Sequence, residues 1–229
     1  ELSLREALLL SCDIFFYHLG LEVGIVNWTH YAKTLGFGQP TGIDLALGGD
    51  GEVGGLLPDQ KYYEKEGKWF KGVMLNLVIG QGETLTTPIQ IARYMAALAT
   101  GLLPHPFILK NNELSKNNPF TREALPDPIP ISTQTLKQIR SILQDVVENP
   151  LGTGRKAHIK GIKIAGKTGT AQNPHGDDHA WFAAFAPVNN PQIALAILVE
   201  NSGQGGEIAA PIARKFLKTY FKILPSNQN

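Results

Sequence analysis

The sequence predicts an α+β domain, with a helical part first and a sheet part after it that closes on a helix. Three observations carry this. Apolar residues recur at helical spacing through much of the first 150 positions. The period then shortens to strand-like alternation over about 162–200. A helical pattern returns over about Ala209 to Phe221.

In chain order, Ser3-Leu-Arg-Glu6 has the spacing of a capping box before the apolar run Ala7 to Leu10, which predicts a first helix. Asp13 is expected to cap a second helix, Ile14 to about Leu21. A third covers about Trp28 to Leu35 and ends at Gly36 and Gly38. Residues 40–80 read as a loop insertion, with Gly48-Gly-Asp-Gly, Gly54-Gly55 and the charged, aromatic stretch Lys61 to Lys71 containing Trp69 and Phe70. A solvated excursion is expected there in preference to a lid over a groove. The apolar run Met74 to Ile79 leads into Gly80-Gln-Gly82. Thr87-Pro88 opens a helix with proline in its first turn; Ile89, Ala92, Met95, Ala96 and Ala99 form its apolar face and Gly101 ends it. Residues 102–131 are rich in proline and asparagine, with a short strand expected at Phe107-Ile-Leu. Ser132 should cap a helix over about Thr133 to Glu148, with Leu136, Ile139, Ile142, Leu143 and Val146 on one face.

Strands are expected at 162–168, at His179 to Ala186 before Pro187, and at Gln192 to Glu200. Their short connections favour an antiparallel meander. Glycines 203, 205 and 206 precede the last helix, which carries Pro211 near its start. The organisation read from this is a mostly helical part over 1–150, interrupted by the 40–80 insertion, and a sheet with its closing helix over 159–229, without internal repeats.

Bulk composition narrows the classes. The chain has 229 residues, 43% apolar and 18% charged, which suits one large or two small globular domains. A net charge of +1 gives no footing for general nucleic-acid binding. The single cysteine, Cys12, excludes an internal disulfide framework and leaves the compartment open. No signal peptide is present, and no apolar run approaches the ~18 residues of a spanning helix. The chain opens with Glu-Leu-Ser-Leu, and a piece of something longer is expected.

The chemistry concentrates in Gly166-Lys167-Thr168-Gly169-Thr170-Ala171-Gln172, placed at the end of the strand Ile162-Lys163-Ile164-Ala165. An ammonium and two hydroxyls beside a glycine are suited to holding a carboxylate, because they supply charge, short donors and close backbone access. Alternation would put successive side chains on opposite faces, so one ligand touching them all must lie along the strand's edge. A lone K-T-G reads first as a solvated strand end. Gly161 to Thr168 also matches G-x-x-x-x-G-K-[ST] letter for letter, the phosphate-binding pattern. Such a loop must open a helix, yet Thr-Gly-Thr-Ala-Gln-Asn-Pro follows here. A helix or a strand at 169–174 separates the two readings. Ile197-Leu-Val-Glu200 has the form of a second nucleotide motif and also of an ordinary strand end. His175, Asp177, Asp178 and His179 read as turn residues, not metal ligands, and Cys12 as a small buried side chain. Trp181 and Phe182 read as core.

Four segments agree in order: Ser11-Cys12-Asp13; Gly80-Gln-Gly82 before Thr87-Pro88-Ile-Gln-Ile-Ala; Lys167-Thr-Gly-Thr-Ala-Gln172; and Ala180-Trp-Phe-Ala-Ala-Phe-Ala-Pro187. Together they resemble the transpeptidase domain of class B penicillin-binding proteins, across essentially the whole chain. The run Phe185 to Asn201 is most similar to the elongation-type subclass. The resemblance implies the penicillin-binding-protein/serine β-lactamase-like fold, an antiparallel sheet flanked by helices with a helical subdomain. It implies cross-linking of peptidoglycan stem peptides: a serine attacks the penultimate D-Ala carbonyl, the terminal D-Ala leaves, and an amine of a second stem takes the acyl group. β-Lactams acylate the same serine.

Family motifs are S-x-x-K, S-x-[ND] and K-[TS]-G. By resemblance, Ser11 is the proton-relaying hydroxyl of the middle motif and Asp13 stands where much of the superfamily has Asn. A carboxylate there accepts hydrogen bonds but does not donate them when ionised. Lys167 would set the field for the relay. Thr168, Gly169 and Thr170 would bind the substrate or β-lactam carboxylate, with the Thr170 N–H in the oxyanion hole. No S-x-x-K occurs: serines 3, 11, 115, 132, 141, 202 and 226 all lack a lysine three places on. Thr153-Gly-Arg-Lys156 has the spacing but lies in a Gly-rich turn. The chain is therefore expected to be the C-terminal part of a transpeptidase domain, inactive alone, with the nucleophile, its helix and two strands upstream. The resemblance further implies no cofactor, a membrane anchor upstream, an extracytoplasmic location and a polytopic glycan polymerase as partner. A β-lactam sensor or β-lactamase, which shares the sheet and K-T-G, is the alternative enzyme-like reading, and a P-loop protein the third.

Overall fold

The computed structural model describes residues 2–44, 51–65, 67, 70–108 and 125–223. The elements in chain order are helices α1 (Leu4–Leu10), α2 (Asp13–Thr34), α3 (Gln60–Lys65), α4 (Val73–Val78) and α5 (Pro88–Thr100), short strands β1 (Leu102–Leu103) and β2 (Asp127–Pro128), helix α6 (Thr133–Glu148), strands β3 (Ala165–Ala171), β4 (His179–Ala186) and β5 (Ile193–Val199), and helix α7 (Ala209–Tyr220). The chain divides into two compact units. One combines residues 1–11 with 137–229, and the other is the continuous stretch 12–136. Helix α1 and most of α6 thus group with the sheet.

The sheet unit is an antiparallel meander in the order β3-β4-β5. Its register pairs Lys167 with Ala183, Thr168 with Phe182 and Gly169 with Trp181. Ala180, Phe182, Ala184 and Ala186 pack with Ile164, Leu195 and Val147, and with Ala209, Ala210, Ala213 and Leu217 of α7. Alanines on both sides let helix and sheet approach closely, while Phe182 and Leu217, both fully buried, fill the space between. Each such large side chain contributes about 1.5–3 kcal/mol relative to exposure. Helix α1 starts at the expected box: the Glu6 N–H donates to Ser3 Oγ at 3.3 Å and the Ser3 N–H to Glu6 Oε2 at 2.8 Å. It is tied to α6 by Arg5, which donates to Ser141 Oγ at 3.0 Å and pairs with Asp145. At the far end of α6, Lys163 reaches Glu148 Oε2 at 2.9 Å and the Arg155 guanidinium reaches the Glu148 carbonyl at 2.7 Å. Those cations satisfy oxygens where the helix dipole is negative.

In the second unit, α2 changes direction at Gly24, whose φ of 70° and ψ of 161° are not helical. The two helices expected at 14–21 and 28–35 are therefore one element folded at a glycine, which reaches this conformation without a Cβ penalty. The cap of α2 is Cys12, and Asp13 is its first residue. Helix α5 begins at Thr87 with a capping box to Gln90 and ends at Gly101, as its sequence predicts. Its buried face differs from the apolar stripe, because Gln90 and Arg93 turn inward. Gln90 Nε2 donates to the carbonyls of Gln39 and Gly54, each at 2.8 Å, and Arg93 Nε to that of Pro104 at 2.6 Å. Loop carbonyls that would otherwise be buried without donors outweigh the apolar pattern.

Among its described residues the 40–80 insertion is a solvated excursion only in part: Lys61 to Lys71 is exposed apart from Tyr63. It contains α3 and α4, and Tyr63, Met74 and Leu77 of these helices are buried with Ile25 and Val73 in a core of their own. Burial, and then the hydrogen bond that Tyr63 donates to Glu83 Oε2 at 2.7 Å, hold its phenol above the ordinary pKa of 10.0. Of the glycine-rich stretch, Gly48, Gly49 and Asp50 lie outside the described residues, as does Trp69. So does the end of the strand expected at Phe107-Ile-Leu; Phe107 and Ile108 are not in a strand. Strand β3 is displaced three residues along the chain from the expected 162–168, starting later and ending later. Ile162 is occupied in a tight antiparallel bridge with Ile159, so the ladder starts only at Ala165 and carries on through the Lys-Thr-Gly-Thr segment.

Candidate active site

Ser11 ends α1 in a left-handed conformation, φ 51° and ψ 53°. Such a backbone costs a non-glycine residue about 1–2 kcal/mol. It is fixed from behind by α1, since the Ser11 N–H donates to the Leu8 carbonyl at 3.4 Å. Cys12 then returns to an extended conformation and α2 begins.

Lys167 is the third residue of β3 and is half-buried. Its ammonium donates to Ser11 Oγ and to the Thr168 carbonyl, the latter at 3.0 Å. Because Ser11 Oγ accepts from Lys167, the hydroxyl's own proton is directed elsewhere. The pair is thus a hydroxyl donor backed by a cation. Side chains alternate along β3, so Thr168 and Thr170 lie on the face opposite to Lys167 and Gly169. Thr168 Oγ1 donates to Thr153 Oγ1 at 2.9 Å, and Thr170 Oγ1 accepts from the Gly205 N–H at 3.4 Å. Gly205 must be glycine, because a Cβ there would overlap the carbonyl oxygens of Trp181 and Gly169. Exposure rises along β3: Ala165 and Gly166 are buried, Lys167 to Gly169 half-buried and Thr170 exposed. β3 is a margin of the described sheet, so its outer backbone groups face away from β4.

The sheet unit therefore brings together Ser11, Lys167, Thr168, Gly169 and Thr170 of the residues selected from sequence. Asp13 belongs to the second unit, exposed in the first turn of α2, where the helix dipole favours its negative charge. Sequence reasoning noticed Thr153 only as a threonine without the right lysine. Nothing local marks it as the partner of Thr168, and the only signal was its place in a Gly-Thr-Gly turn shortly before the strand.

The phosphate-loop alternative is corrected here. Gly169 to Ala171 continue the strand and Gln172 to Pro174 are extended or turn, so no helix N-terminus follows Thr168 to receive a phosphate. The His175 to His179 stretch is a turn that runs into β4 and is held by residues 201–203. The Asn201 N–H donates to His179 Nδ1 at 3.0 Å, and the Asp178 carbonyl accepts from Ser202 and Gly203. Phe182 is core, as expected, and Trp181 is half-buried.

A family model, the penicillin binding protein transpeptidase domain, matches residues 1–218. The peptidoglycan D,D-transpeptidase MrdA of Haemophilus influenzae is 32% identical over 240 residues, covering 96% of this chain and 36% of that relative. The crystal structure of Pseudomonas aeruginosa PBP2 in complex with WCK 5153 superposes with a TM-score of 0.80 at 35% identity, covering 99% of this chain and 50% of that one. A structure of a peptidoglycan synthase complex that coordinates polymerization and crosslinking superposes with a TM-score of 0.79 at 30% identity, covering 100% of this chain and 39% of that one. The chain spans well under two thirds of the length of each.

Proposed function

This chain belongs to the penicillin-binding protein transpeptidase family, and we propose that it forms the C-terminal part of the transpeptidase domain of an elongation-type peptidoglycan D,D-transpeptidase. The single observation that carries the reading is the contact between Ser11 and Lys167, which joins a helix end to a sheet margin.

The roles are those the family resemblance implies, and the Ser11–Lys167 contact supports them. The terminal carboxylate of a stem peptide lies along β3, held by the Lys167 charge and by Thr168, Gly169 and Thr170. The Thr170 N–H stabilises the oxyanion that develops when an active serine, outside these 229 residues, attacks the penultimate D-Ala carbonyl. The C–N bond to the terminal D-Ala breaks. Ser11 passes a proton to the departing amine and regains the one released by the attacking serine, while Lys167 holds the Ser11 oxygen in place during the exchange. Deacylation reverses the relay: the amine of a second stem attacks the acyl-serine and gives its proton back through Ser11. Asp13, two residues on from Ser11, acts as an acceptor toward substrate amide groups.

With peptidoglycan as substrate, the reaction runs outside the cytoplasm. Among the described residues no helix is long and apolar enough to cross a membrane, and we assign anchoring to a segment beyond this stretch. A polytopic glycan polymerase is the partner that would supply the strands to be cross-linked. The reading is tested by labelling the complete protein with a fluorescent penicillin. The expected result is a covalent adduct that Lys167→Ala slows by about 100-fold or more and that the 229-residue chain alone does not form. A label on that chain alone would put the nucleophile within it and overturn the assignment.

A further inference from the structure

We propose that Thr153 is a positioning residue for carboxylate recognition, acting through a reversal of its hydrogen bond with Thr168. The proposal rests on the carboxylate site assigned above to Lys167, Thr168, Gly169 and Thr170.

A threonine hydroxyl has one proton. In this structure Thr168 gives that proton to Thr153 Oγ1, at 2.9 Å. A carboxylate is an acceptor only, so Thr168 cannot bind one through its hydroxyl while it also donates to Thr153. The conflict disappears if the pair turns around: Thr153 donates to Thr168, and Thr168 donates to the ligand. Thr153 is chemically able to do this, since a hydroxyl both donates and accepts, and a chain of two hydroxyls ending on an anion strengthens each link.

Thr153 is also well fixed for the purpose. Its N–H donates to the Leu9 carbonyl of α1 at 3.3 Å. The following Gly154 N–H donates to the Val146 carbonyl of α6 at 3.0 Å, and the Arg155 N–H to that of Gly152 at 3.1 Å. The turn holding Thr153 is therefore anchored two residues before Ser11 on one side and to α6 on the other. Both Thr153 and Thr168 are half-buried, so water competes poorly for the proton they share.

The test is acylation of the complete protein by a penicillin with a free carboxylate and by the methyl ester of the same penicillin, in wild type, Thr153→Val, Thr153→Ala and Thr153→Ser. Wild type is expected to prefer the acid. The two hydroxyl-free variants should lose about 5-fold on the acid, the scale of the one neutral hydrogen bond that orients Thr168, which keeps its own bond to the carboxylate, and less than about 2-fold on the ester. Thr153→Ser should recover the acid rate. Thr153→Ala repeats the test without the added methyl group, and melting curves report whether each variant is folded. Equal losses on acid and ester, undiminished preference for the acid in the valine and alanine variants, or failure of serine to restore it would each overturn the proposal. A wild-type protein indifferent between acid and ester would instead overturn the carboxylate site on which the proposal stands.

Discussion

Ser11 and Lys167, 156 positions apart in sequence, share a hydrogen bond in which the lysine ammonium donates to the serine oxygen. Neither group is special by itself. Together they form a proton-bearing hydroxyl whose oxygen is steadied by a fixed positive charge.

Two groups that act as one unit should be non-additive on removal. Ser11→Ala and Lys167→Ala are each expected to slow penicillin acylation of the complete protein by about 100-fold or more. The double variant should be little worse than either. Multiplying losses in stopped-flow acylation would show that the two act separately.

The left-handed backbone of Ser11 gives a second outcome. Ser11→Gly and Ser11→Ala both delete the hydroxyl, but only alanine keeps the Cβ that this conformation disfavours. The glycine variant should be the more stable of the two by about 1 kcal/mol, read by chemical denaturation. Equal stability would mean that the turn relaxes once the serine is gone.

Glu52 sets an acid limit within the second unit. Burial raises its pKa, but the Thr41 hydroxyl, at 2.6 Å, and the N–H groups of Thr41, Gly42 and Ile43 together bring it below the ordinary 4.5. A depressed carboxylate favours folding fully above its unfolded pKa, and that contribution disappears as pH falls through the folded value. Glu52→Gln should lower the melting temperature at neutral pH and make it fall less steeply between about pH 5 and pH 3. Parallel acid slopes in the two proteins would remove Glu52 from the account.

Gly205 tests how tightly the loop after β5 is seated. With Gly205→Ala the new methyl meets the carbonyls of Trp181 and Gly169, so either loop or strand must shift. The expected cost is about 1–3 kcal/mol, with slower acylation in step, because Gly169 lies next to both threonines of the site. An unchanged melting temperature would show that the loop yields freely.

Much of this was legible in the sequence where pattern and packing agree. β4 was found to the residue, because alternation fixes its faces and Pro187 cannot continue the ladder. α5 and α6 were found because their caps and periodicity coincide. α4 was not, since six residues between Gly72 and Gly80 are too short to show a period, and only burial of Val73, Met74 and Leu77 holds them in a helix. The inward turn of Gln90 and Arg93 was invisible for a related reason, because their partners are carbonyls of distant loops. At the site, motif order selected Ser11 and Lys167. The Thr153–Thr168 contact follows from where the chain folds back, which no spacing rule encodes.

The unit that holds these residues draws on residues 1–11 and 137–229, which the uninterrupted stretch from 12 to 136 separates in sequence. A ribosome must therefore release Ser11 long before it reaches Lys167, and the intervening stretch can reach its final form while the serine still waits for a partner. Assembly of the reactive pair is in consequence a late event in the life of the nascent polypeptide, and a truncation anywhere before β3 leaves a serine with no lysine to meet.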